Sequence, residues 1–420
     1  MPRFTTLPDW LAWQETLHPK AIDLGLERVA RVARQLQLTT LAVPVVTVAG
    51  TNGKGSTIAM LESVLQTAGY RTGAYTSPHL QRYNERIRIQ GRDIDDQSLC
   101  DAFAAVDAAR DEVSLSYFEF ATLAALLLFR EASLDVVLLE VGLGGRLDAV
   151  NIIDADVAIV TSVDIDHSDW LGEDRESIGI EKAGIFRADR PAICSDPAPP
   201  ASLSTCAGNT GAHWYGLGGA YRYQTGQRHW QWHGPQHSYD RLALPALAGE
   251  HQLHNAAGAV MALECLQLHL PVSAEDISNG LQGAALPARC QFIAGAIELV
   301  LDVAHNPDSA RRLATLLSTR PCQGDTHLLL GMLADKDIAG TCQALAAVAD
   351  HWYLTGLQAE RGLTADVLRQ RLPTAVANTA VCFDNAAQAL QQARATAVTG
   401  DRIVICGSFY TVAAAMACGV

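Results

Sequence analysis

Short apolar runs alternate with helical patterns in the first part of the chain. Four of these runs predict strands, at residues 44–49 (PVVTVA), 71–75, 135–140 (DVVLLE) and 156–162 (DVAIVTS). Apolar residues recur at helical spacing over 56–68 and 118–131. Continuous apolar runs are typical of strands that are buried on both faces of a parallel sheet. Strands that alternate with helices therefore predict an α/β fold.

The pattern changes in the second half of the chain. Aromatic residues, Gly, His and Gln nearly alternate over 214–244, which predicts a short, half-exposed antiparallel meander. A helical pattern at 254–270 precedes a stretch rich in Pro, Ala and Gly at 283–295. Further strand-like runs, separated by Ala/Leu helices, lie at 296–303, 326–332, 351–355 and 402–406. We therefore expect a larger domain with a mostly parallel sheet at 1–288 and a smaller, doubly wound Rossmann-like domain at 289–420.

Composition and charge narrow the functional classes. The 420 residues include 31 basic and 45 acidic side chains, and this net charge of −14 argues against a broad nucleic-acid or anionic-membrane surface. The longest apolar stretch, 121–129, is about half of the ~20 residues that a membrane span needs. Residues 1–13 lack the pattern of a signal peptide. Ten cysteines without a C-x-x-C pair predict reduced thiols, so we expect a cytoplasmic protein.

A glycine-rich loop at 50–56 (GTNGKGS) lies between a predicted strand and a predicted helix. Glycines let backbone N–H groups approach phosphate oxygens, and a lysine there reaches the terminal phosphates. The spacing departs from G-x-x-x-x-G-K-[ST], because two residues separate Gly50 from Gly53 and Gly55 follows Lys54 where a hydroxyl normally binds Mg²⁺. One interpretation is nucleotide binding by a P-loop-type domain, and the other is a turn without a ligand.

Polar residues follow two of the predicted strands. Glu140 ends the third apolar run, where a nucleotide-binding sheet presents a carboxylate to Mg²⁺, and Asp164, Asp166 and His167 follow the fourth. Parallel strands bring their carboxyl ends to one edge of the sheet, so we expect these groups near the glycine-rich loop. The plainer interpretations are a buried strand that happens to end in Glu and a structural histidine.

Lysine is rare in this chain, since only Lys20, Lys54, Lys182 and Lys336 are lysines among the 31 basic residues. One interpretation of Lys182 is a plain cation. The other is a carbamate, because a neutral lysine amine takes up CO₂ to form an anion that ligates or orients a metal. Arginine cannot do this, because its pKa is too high.

An ordered set of motifs extends along nearly the whole chain. They are HPKAIDLGLERV at 18–29, GTNGKGS at 50–56, SPHL at 77–80, ERIRIQG at 85–91, SYFEF at 116–120, EVGLGGRLDAVN at 140–151, DHSDWLG at 166–172, EKAGIFR at 181–187, DVAHNP at 302–307, GMLADKD at 331–337 and CGSFYTV at 406–412. Together they resemble the folylpolyglutamate synthase branch of the Mur ligase superfamily, with the bifunctional dihydrofolate synthase/folylpolyglutamate synthases as the most similar group.

The resemblance implies an activity and its small-molecule partners. Members of this branch are ATP-dependent carboxylate–amine ligases of folate biosynthesis and one-carbon metabolism. They add L-glutamate to dihydropteroate or to reduced folate through an acyl phosphate. The resemblance also implies two Mg²⁺ ions, a carbamylated Lys182 and a monomer.

The resemblance also implies roles for individual residues. The ATP site would comprise Thr51, Asn52, Gly53, Lys54, Asn255, Arg289 and Asp302. The metal ligands would be Ser77, Glu140 and His167. The pteroate segment would comprise Ser116, Tyr117, Phe118, Glu119, Leu147, Asp148 and Ala149. His305 and Ser408 would place the incoming glutamate, and the catalytic residues would be Lys54, Lys182 and His305.

Three alternatives stay open at this point. A single-activity folylpolyglutamate or dihydrofolate synthase would use the same ATP and metal motifs. Another Mur-type ligase would act on a cell-wall peptide precursor, although SPHL, SYFEF and GGRLDAVN favour folate. A P-loop switch that hydrolyses ATP would leave Lys182 and the DVAHNP segment unexplained.

Overall fold

The structure is a computed structural model that describes residues 2–20, 22–359 and 361–420. The chain divides into two compact units. The first extends to Ala246 and includes Gln252–Ala285, and the second comprises Leu247–His251 and Leu286–Val420. The domain limits expected from the sequence, 1–288 and 289–420, remain a prediction.

Helices and strands alternate along both units. The strands are β1 (Val45–Ala49), β2 (Thr72–Tyr75), β3 (Ile87–Ile89), β4 (Arg92–Asp93), β5 (Val136–Glu140), β6 (Val157–Val160), β7 (Pro191–Cys194), β8 (His213–Gly216), β9 (Arg222–Thr225), β10 (His229–His233), β11 (Ser238–Ala243), β12 (Gln291–Ile293), β13 (Glu298–Leu301), β14 (Thr326–Leu330), β15 (His351–Thr355), β16 (Val381–Phe383) and β17 (Arg402–Cys406). The helices are α1 (Leu7–Leu17), α2 (Glu27–Gln35), α3 (Lys54–Thr67), α4 (Asp96–Arg110), α5 (Tyr117–Glu131), α6 (Ser168–Leu171), α7 (Arg175–Ala183), α8 (Ala201–Thr210), α9 (Glu250–Leu266), α10 (Ala274–Gly283), α11 (Pro307–Thr319), α12 (Ile338–Leu345), α13 (Ala365–Gln370), α14 (Thr374–Ala377), α15 (Ala386–Thr396) and α16 (Phe409–Met416).

The first unit is built on an eight-stranded sheet with the strand order β4-β3-β2-β5-β1-β6-β7-β8. The pairs from β2 to β8 are parallel, whereas β3 and β4 add antiparallel pairs at one edge. Every residue of β1 and β5 is buried, as their uninterrupted apolar runs predict. Val48 pairs with Glu140 and Ala49 with Val160, so the carboxyl ends of β5, β1 and β6 lie level at one edge. The predicted α/β fold is confirmed.

The aromatic meander is partly as predicted and partly different. Strands β9, β10 and β11 form a three-stranded antiparallel sheet, but β8, which contains Trp214, pairs with β7 in the large sheet. Trp230 and Trp232 are fully buried rather than half-exposed. Their indole N–H groups donate to Ala243 O (2.9 Å) and Ala257 O (3.1 Å), and these bonds allow a polar ring atom to leave water.

The second unit contains a six-stranded sheet with the strand order β12-β13-β17-β14-β15-β16. All its pairs are parallel except β12–β13. The four predicted strands are present within two residues at each end. The two edge strands β12 and β16 were not predicted, because each has only three residues and β12 lies inside the stretch rich in Pro, Ala and Gly at 283–295.

Two predictions from composition can be compared with the coordinates. Within the part of the chain that the structure describes, no helix combines the length and apolar character needed to cross a membrane. All ten cysteines are free thiols.

Candidate active site

The glycine-rich loop connects β1 to α3 at the edge where the parallel strands end. Gly53 has a φ of +93°, and a Cβ at this position would lie 2.5 Å from Asn255 Oδ1. Glycine is therefore required both by the left-handed backbone and by the close approach of α9. The Lys54 ammonium donates to Gly50 O at 2.9 Å and to Thr51 O at 3.2 Å. The structure thus brings together five residues of the predicted ATP site, namely Thr51, Asn52, Gly53, Lys54 and Asn255.

Two hydroxyl groups at the end of β6 hold this loop, and sequence analysis did not single them out. Thr161 Oγ1 and Ser162 Oγ donate to Asn52 O at 2.7 Å and 3.0 Å. Ser162 O accepts a hydrogen bond from Thr51 N at 2.7 Å. Their place directly after a buried parallel strand was the available signal, because that edge also holds the loop.

Helix α9 contributes a second contact that the sequence analysis missed. Gln252 Nε2 donates to Ser56 Oγ at 3.3 Å, and Gln252 Oε1 accepts from Asn255 Nδ2 at 3.0 Å. All three side chains are buried. Residues three apart lie on one face of a helix, so α9 presents both amides to the start of α3.

Two of the three predicted metal ligands are adjacent. Ser77 N donates to Glu140 Oε2 at 3.1 Å. Glu140 is buried and lies at the end of β5, next to the phosphate loop in register. This contact joins the loop after β2 to the carboxylate that the sequence predicts as a metal ligand.

The third predicted metal ligand, His167, is the residue before α6 and lies in the left-handed region with φ +54°. Its N–H donates to Asp166 Oδ1 at 2.9 Å. The negative charge of Asp166 also acts to raise the pKa of Lys182. The structure therefore places the segment after β6 close to the predicted carbamate lysine.

Lys182 lies in the last turn of α7 and is 3% exposed. Burial lowers its pKa from 10.5 to about 7, repulsion from Lys54 adds to this effect, and attraction to Asp166 opposes it. Gly145 lies against this turn, since a Cβ there would be 2.9 Å from Lys182 O. A lysine with this pKa is largely a neutral amine above pH 7, which is the form that reacts with CO₂.

The predicted pteroate segment begins α5. Ser116 Oγ accepts from Glu119 N at 3.3 Å, and Glu119 Oε2 accepts from Ser116 N at 2.8 Å, so the two residues form a capping box. Phe118 lies against the residue two positions beyond Glu140, since a Cβ on Gly142 would be 2.7 Å from its ring. Arg28 forms ion pairs with Glu119 at 3.2 Å and with Asp23 at 2.7 Å, and sequence analysis gave neither Arg28 nor Asp23 a role.

Asp148 anchors the second predicted pteroate segment, Leu147–Ala149. Its carboxylate accepts from Leu143 N at 2.8 Å and from Val150 N at 3.1 Å. Burial nevertheless dominates and raises the pKa of Asp148 from 3.8 to about 7, although these bonds and the charge of Lys54 lower it. The Asp148 carboxylate therefore interacts electrostatically with Lys54, the lysine of the phosphate loop.

The second unit brings together its own predicted site residues. Asp302 follows β13 and accepts from Cys290 N and Ala304 N, both at 2.7 Å. Burial raises the pKa of this carboxyl group, and these bonds oppose the shift. The Arg289 guanidinium lies 4.9 Å from the centre of the Phe409 ring, and His305 lies on the same ring at 6.5 Å between centroids. Ser408 is buried, and its hydroxyl caps α16 by accepting from Thr411 N at 3.0 Å, so its predicted contact with glutamate remains a prediction.

The predicted donor set fits a hard divalent cation that completes its coordination with other ligands. In the described ranges no three His, Cys, Asp or Glu side chains are grouped so as to hold a metal by themselves. A hydroxyl, a carboxylate and an imidazole supply oxygen and nitrogen donors, and Mg²⁺ at phosphate sites usually takes one or two carboxylates, water and phosphate oxygens. The Ser77–Glu140 contact beside the phosphate loop matches this kind of site.

Comparison with known proteins now decides the family. The model of the Mur ligase middle domain matches residues 48–263, and that of the Mur ligase glutamate ligase domain matches residues 288–409. The dihydrofolate synthase/folylpolyglutamate synthase of Escherichia coli (strain K12) is 46% identical over 410 residues, 98% of this chain and 94% of that protein. The chain belongs to the dihydrofolate synthase/folylpolyglutamate synthase family of Mur ligases.

Solved structures of this family match the whole fold. E. coli FolC in complex with DHPP and ADP has a TM-score of 0.94 and 46% identity, with 98% of this chain and 97% of that chain covered. A bifunctional folylpolyglutamate synthase/dihydrofolate synthase with Mn, AMPPNP and L-glutamate bound has a TM-score of 0.92 and 46% identity, with 99% and 98% covered. The predicted membership of the Mur ligase superfamily is confirmed.

Proposed function

We propose that the chain adds L-glutamate to dihydropteroate, giving dihydrofolate, and to reduced folates, giving folylpolyglutamates. It is an ATP-dependent carboxylate–amine ligase. The observation that supports this function best is the meeting of three features in one unit. They are the phosphate loop, the Ser77–Glu140 pair and the buried Lys182 with its low pKa.

The first half-reaction activates a carboxylate. A carboxylate oxygen attacks the γ-phosphorus of ATP, the bond from that phosphorus to the β,γ-bridging oxygen breaks, and ADP leaves an acyl phosphate behind. This approach brings two anions together, so positive charge and N–H dipoles must face the phosphates. The Lys54 ammonium and the N-terminus of α3 supply them, and Gln252 and Ser162 hold the loop in place.

One divalent cation would be held by Ser77 and Glu140, and a second by His167. When bound, such an ion neutralises phosphate charge and polarises the γ-phosphoryl group. We propose two such ions and a carbamate on Lys182 that helps to orient the second. The neutral amine that burial produces in Lys182 supports this proposal, since a protonated lysine cannot take up CO₂.

The second half-reaction forms the amide. The neutral amine of glutamate attacks the acyl carbon, the bond from that carbon to the phosphate oxygen breaks, and inorganic phosphate leaves. His305 Nδ1 lies 2.8 Å from Val303 O, and because a carbonyl oxygen only accepts, Nδ1 carries the proton of this hydrogen bond. We assign His305 and Ser408 to placing the glutamate and Arg289 and Asp302 to the nucleotide.

The substrates are small molecules, and the net charge of −14 disfavours binding to nucleic acid or anionic membranes. We propose that the enzyme acts in the cytoplasm as a monomer, as the family resemblance implies. Both glutamate additions use the same ATP and metal groups, so the assignment to both reactions rests on the pteroate segments at 116–119 and 147–149.

ADP release by the purified protein tests this function. The assay contains Mg·ATP and L-glutamate, with dihydropteroate in one arm, tetrahydrofolate in a second and no acceptor in a third. Glutamate-dependent turnover in the first two arms is the expected result. Turnover in only one of these two arms would show that the enzyme is a single-activity synthase. Equal ATP hydrolysis in all three arms would contradict the proposal.

A further inference from the structure

Arg86 is a buried cation beside the site just described. It ends the short 3₁₀ helix Tyr83–Arg86 and is 9% exposed. Its Nε donates to His79 Nδ1 at 2.9 Å. The guanidinium carbon lies 5.4 Å from the centre of the Tyr83 ring and 5.6 Å from that of Tyr117, which are cation–π distances.

The positive charge of Arg86 is not balanced by the protein. Among the described residues it forms no ion pair, unlike Arg82 with Asp96 and Arg88 with Glu62. The neighbouring Glu85 is used elsewhere, since its carboxylate accepts from the N–H groups of residues 80, 81 and 82. His79 contributes no charge, because a ring nitrogen that accepts a hydrogen bond carries no proton. A buried cation without a carboxylate is costly to the free protein.

The unused part of the guanidinium can be reached by a ligand. Arg86 has five N–H donors, and the structure shows a hydrogen bond from Nε alone among the described residues. The side-chain nitrogens of Arg86 are not among the buried polar atoms that lack both contact with solvent and a hydrogen bond. The two Nη groups therefore form an open fork, which is the geometry that binds a carboxylate through two parallel hydrogen bonds.

The position of Arg86 indicates which carboxylate it would bind. Arg86 O accepts from Thr76 N at 2.9 Å, and Thr76 directly precedes the predicted metal ligand Ser77. On its other side Arg86 contacts Tyr117, in the segment that we assign to pteroate. The carboxylate to be activated must lie between the rest of the acyl substrate and the γ-phosphate. Arg86 lies between the segment that we assign to pteroate and the one that carries the predicted metal ligand, which is the position that this carboxylate requires.

We propose that Arg86 is a substrate-binding residue whose guanidinium holds the carboxylate of the acyl substrate, the group that becomes the acyl phosphate. This inference rests on the proposed function and adds the residue that recognises the acid. It explains why the chain keeps a buried, unpaired arginine, since the substrate supplies the missing charge. It also predicts that the enzyme distinguishes an acid from the corresponding amide before any chemistry takes place.

Equilibrium binding to two ligands tests the proposal. Calorimetry on the full-length protein, without ATP and glutamate, would compare dihydropteroate with its carboxamide, which has the same shape but no charge. A charge-assisted bidentate contact corresponds to a preference for the acid of about 10- to 100-fold in the wild type. Arg86→Gln should remove this preference and leave affinity for the amide within about 2-fold.

Two further variants keep the result interpretable. Arg86→Lys retains the charge without the fork and should give an intermediate preference. Arg82→Gln removes an exposed arginine four residues earlier and should behave as the wild type. The thermal midpoint of each variant is measured without ligand and with dihydropteroate. We expect the rise caused by dihydropteroate to shrink in Arg86→Gln to the rise that the carboxamide causes, while the ligand-free midpoint does not fall.

The outcomes separate this inference from the proposed function. If Arg86→Gln keeps the preference for the acid, or if the wild type binds acid and amide equally while still turning over, Arg86 does not bind the carboxylate. If Arg86→Gln does not fold and Arg86→Lys keeps the full preference, the proposal is also overturned. If the wild type neither binds dihydropteroate nor releases ADP with it, the proposed function itself fails.

Discussion

Replacement of Lys182 by arginine should separate positive charge from carbamate chemistry. The side chain is 3% exposed, and burial together with repulsion from Lys54 lowers its pKa to about 7. Arginine keeps a charge and a similar length, but its pKa is too high for a neutral form in a protein. If Lys182 acts only as a cation, Lys182→Arg should be tolerated. If it acts as a carbamate, the variant should lose activity.

The pKa determines how much neutral amine is available. At pH 7.5 a lysine with a pKa of 7 is about 75% neutral, whereas an ordinary lysine is about 0.1% neutral, a difference of several hundred-fold. The neutral fraction is present above pH 7 and falls to about 10% at pH 6. Carbamate formation should therefore fail as the pH decreases through 7, and not as it increases.

The assay is the steady-state rate of ADP release at saturating substrates. We expect Lys182→Arg to lose about 100-fold in kcat, the upper range for groups that orient metal ligands. Lys20→Arg is the control, because Lys20 is exposed and forms a surface ion pair with Asp23. A second measurement uses ¹³C-bicarbonate, which should give a carbamate resonance in the wild type and not in Lys182→Arg. Near-normal turnover of Lys182→Arg, or wild type without this resonance, would refute the reasoning.

Three further predictions concern the metal residue, the phosphate loop and Asp148. Glu140→Gln should raise the Mg²⁺ concentration needed for half-maximal turnover by about 10-fold or more while the thermal midpoint changes little; an unchanged Mg²⁺ dependence would remove Glu140 from the metal site. Gly53→Ala should weaken ATP binding in a calorimetric titration by about 10-fold, because the left-handed backbone costs about 1–2 kcal/mol and a Cβ would lie against Asn255; wild-type affinity would contradict this. Asp148 has a raised folded-state pKa of about 7, so its contribution to stability is fully present below the unfolded-state pKa and is lost as the pH rises through 7. The thermal midpoint of Asp148→Asn relative to wild type should therefore improve from pH 5 to pH 8, and a constant difference would show that Asp148 does not titrate in this range.

The edge that carries the site follows from local sequence patterns. The apolar runs that end at Ala49 and Glu140 predict buried parallel strands, and parallel strands bring their carboxyl ends together. The sequence alone therefore predicts that the glycine loop and Glu140 lie at one edge. Their contact with Ser77 came from the family resemblance and not from the pattern, because a lone serine after a strand carries no distinctive signal.

Other contacts depend on packing between distant segments. Gln252 forms a hydrogen bond with Ser56, which lies almost two hundred residues earlier in the chain, and no sequence pattern near Gln252 predicts this partner. The burial of Trp230 and Trp232 depends on carbonyl groups of β11 and α9 that accept their N–H bonds. The sequence also does not show that the charge of Arg86 lacks a carboxylate partner, because Glu85 is adjacent to it. Only the structure shows that the Glu85 carboxylate accepts hydrogen bonds from backbone N–H groups instead.

Transfer of oxygen from substrate to phosphate tests the central claim most directly. Dihydropteroate labelled with ¹⁸O in its carboxylate is turned over with Mg·ATP and L-glutamate, and the inorganic phosphate is examined by ³¹P NMR or mass spectrometry. Activation through an acyl phosphate predicts that one ¹⁸O atom appears in phosphate for each amide formed. Glutamate-dependent release of ADP with unlabelled phosphate would contradict the mechanism, because it would show that water and not the carboxylate attacks ATP.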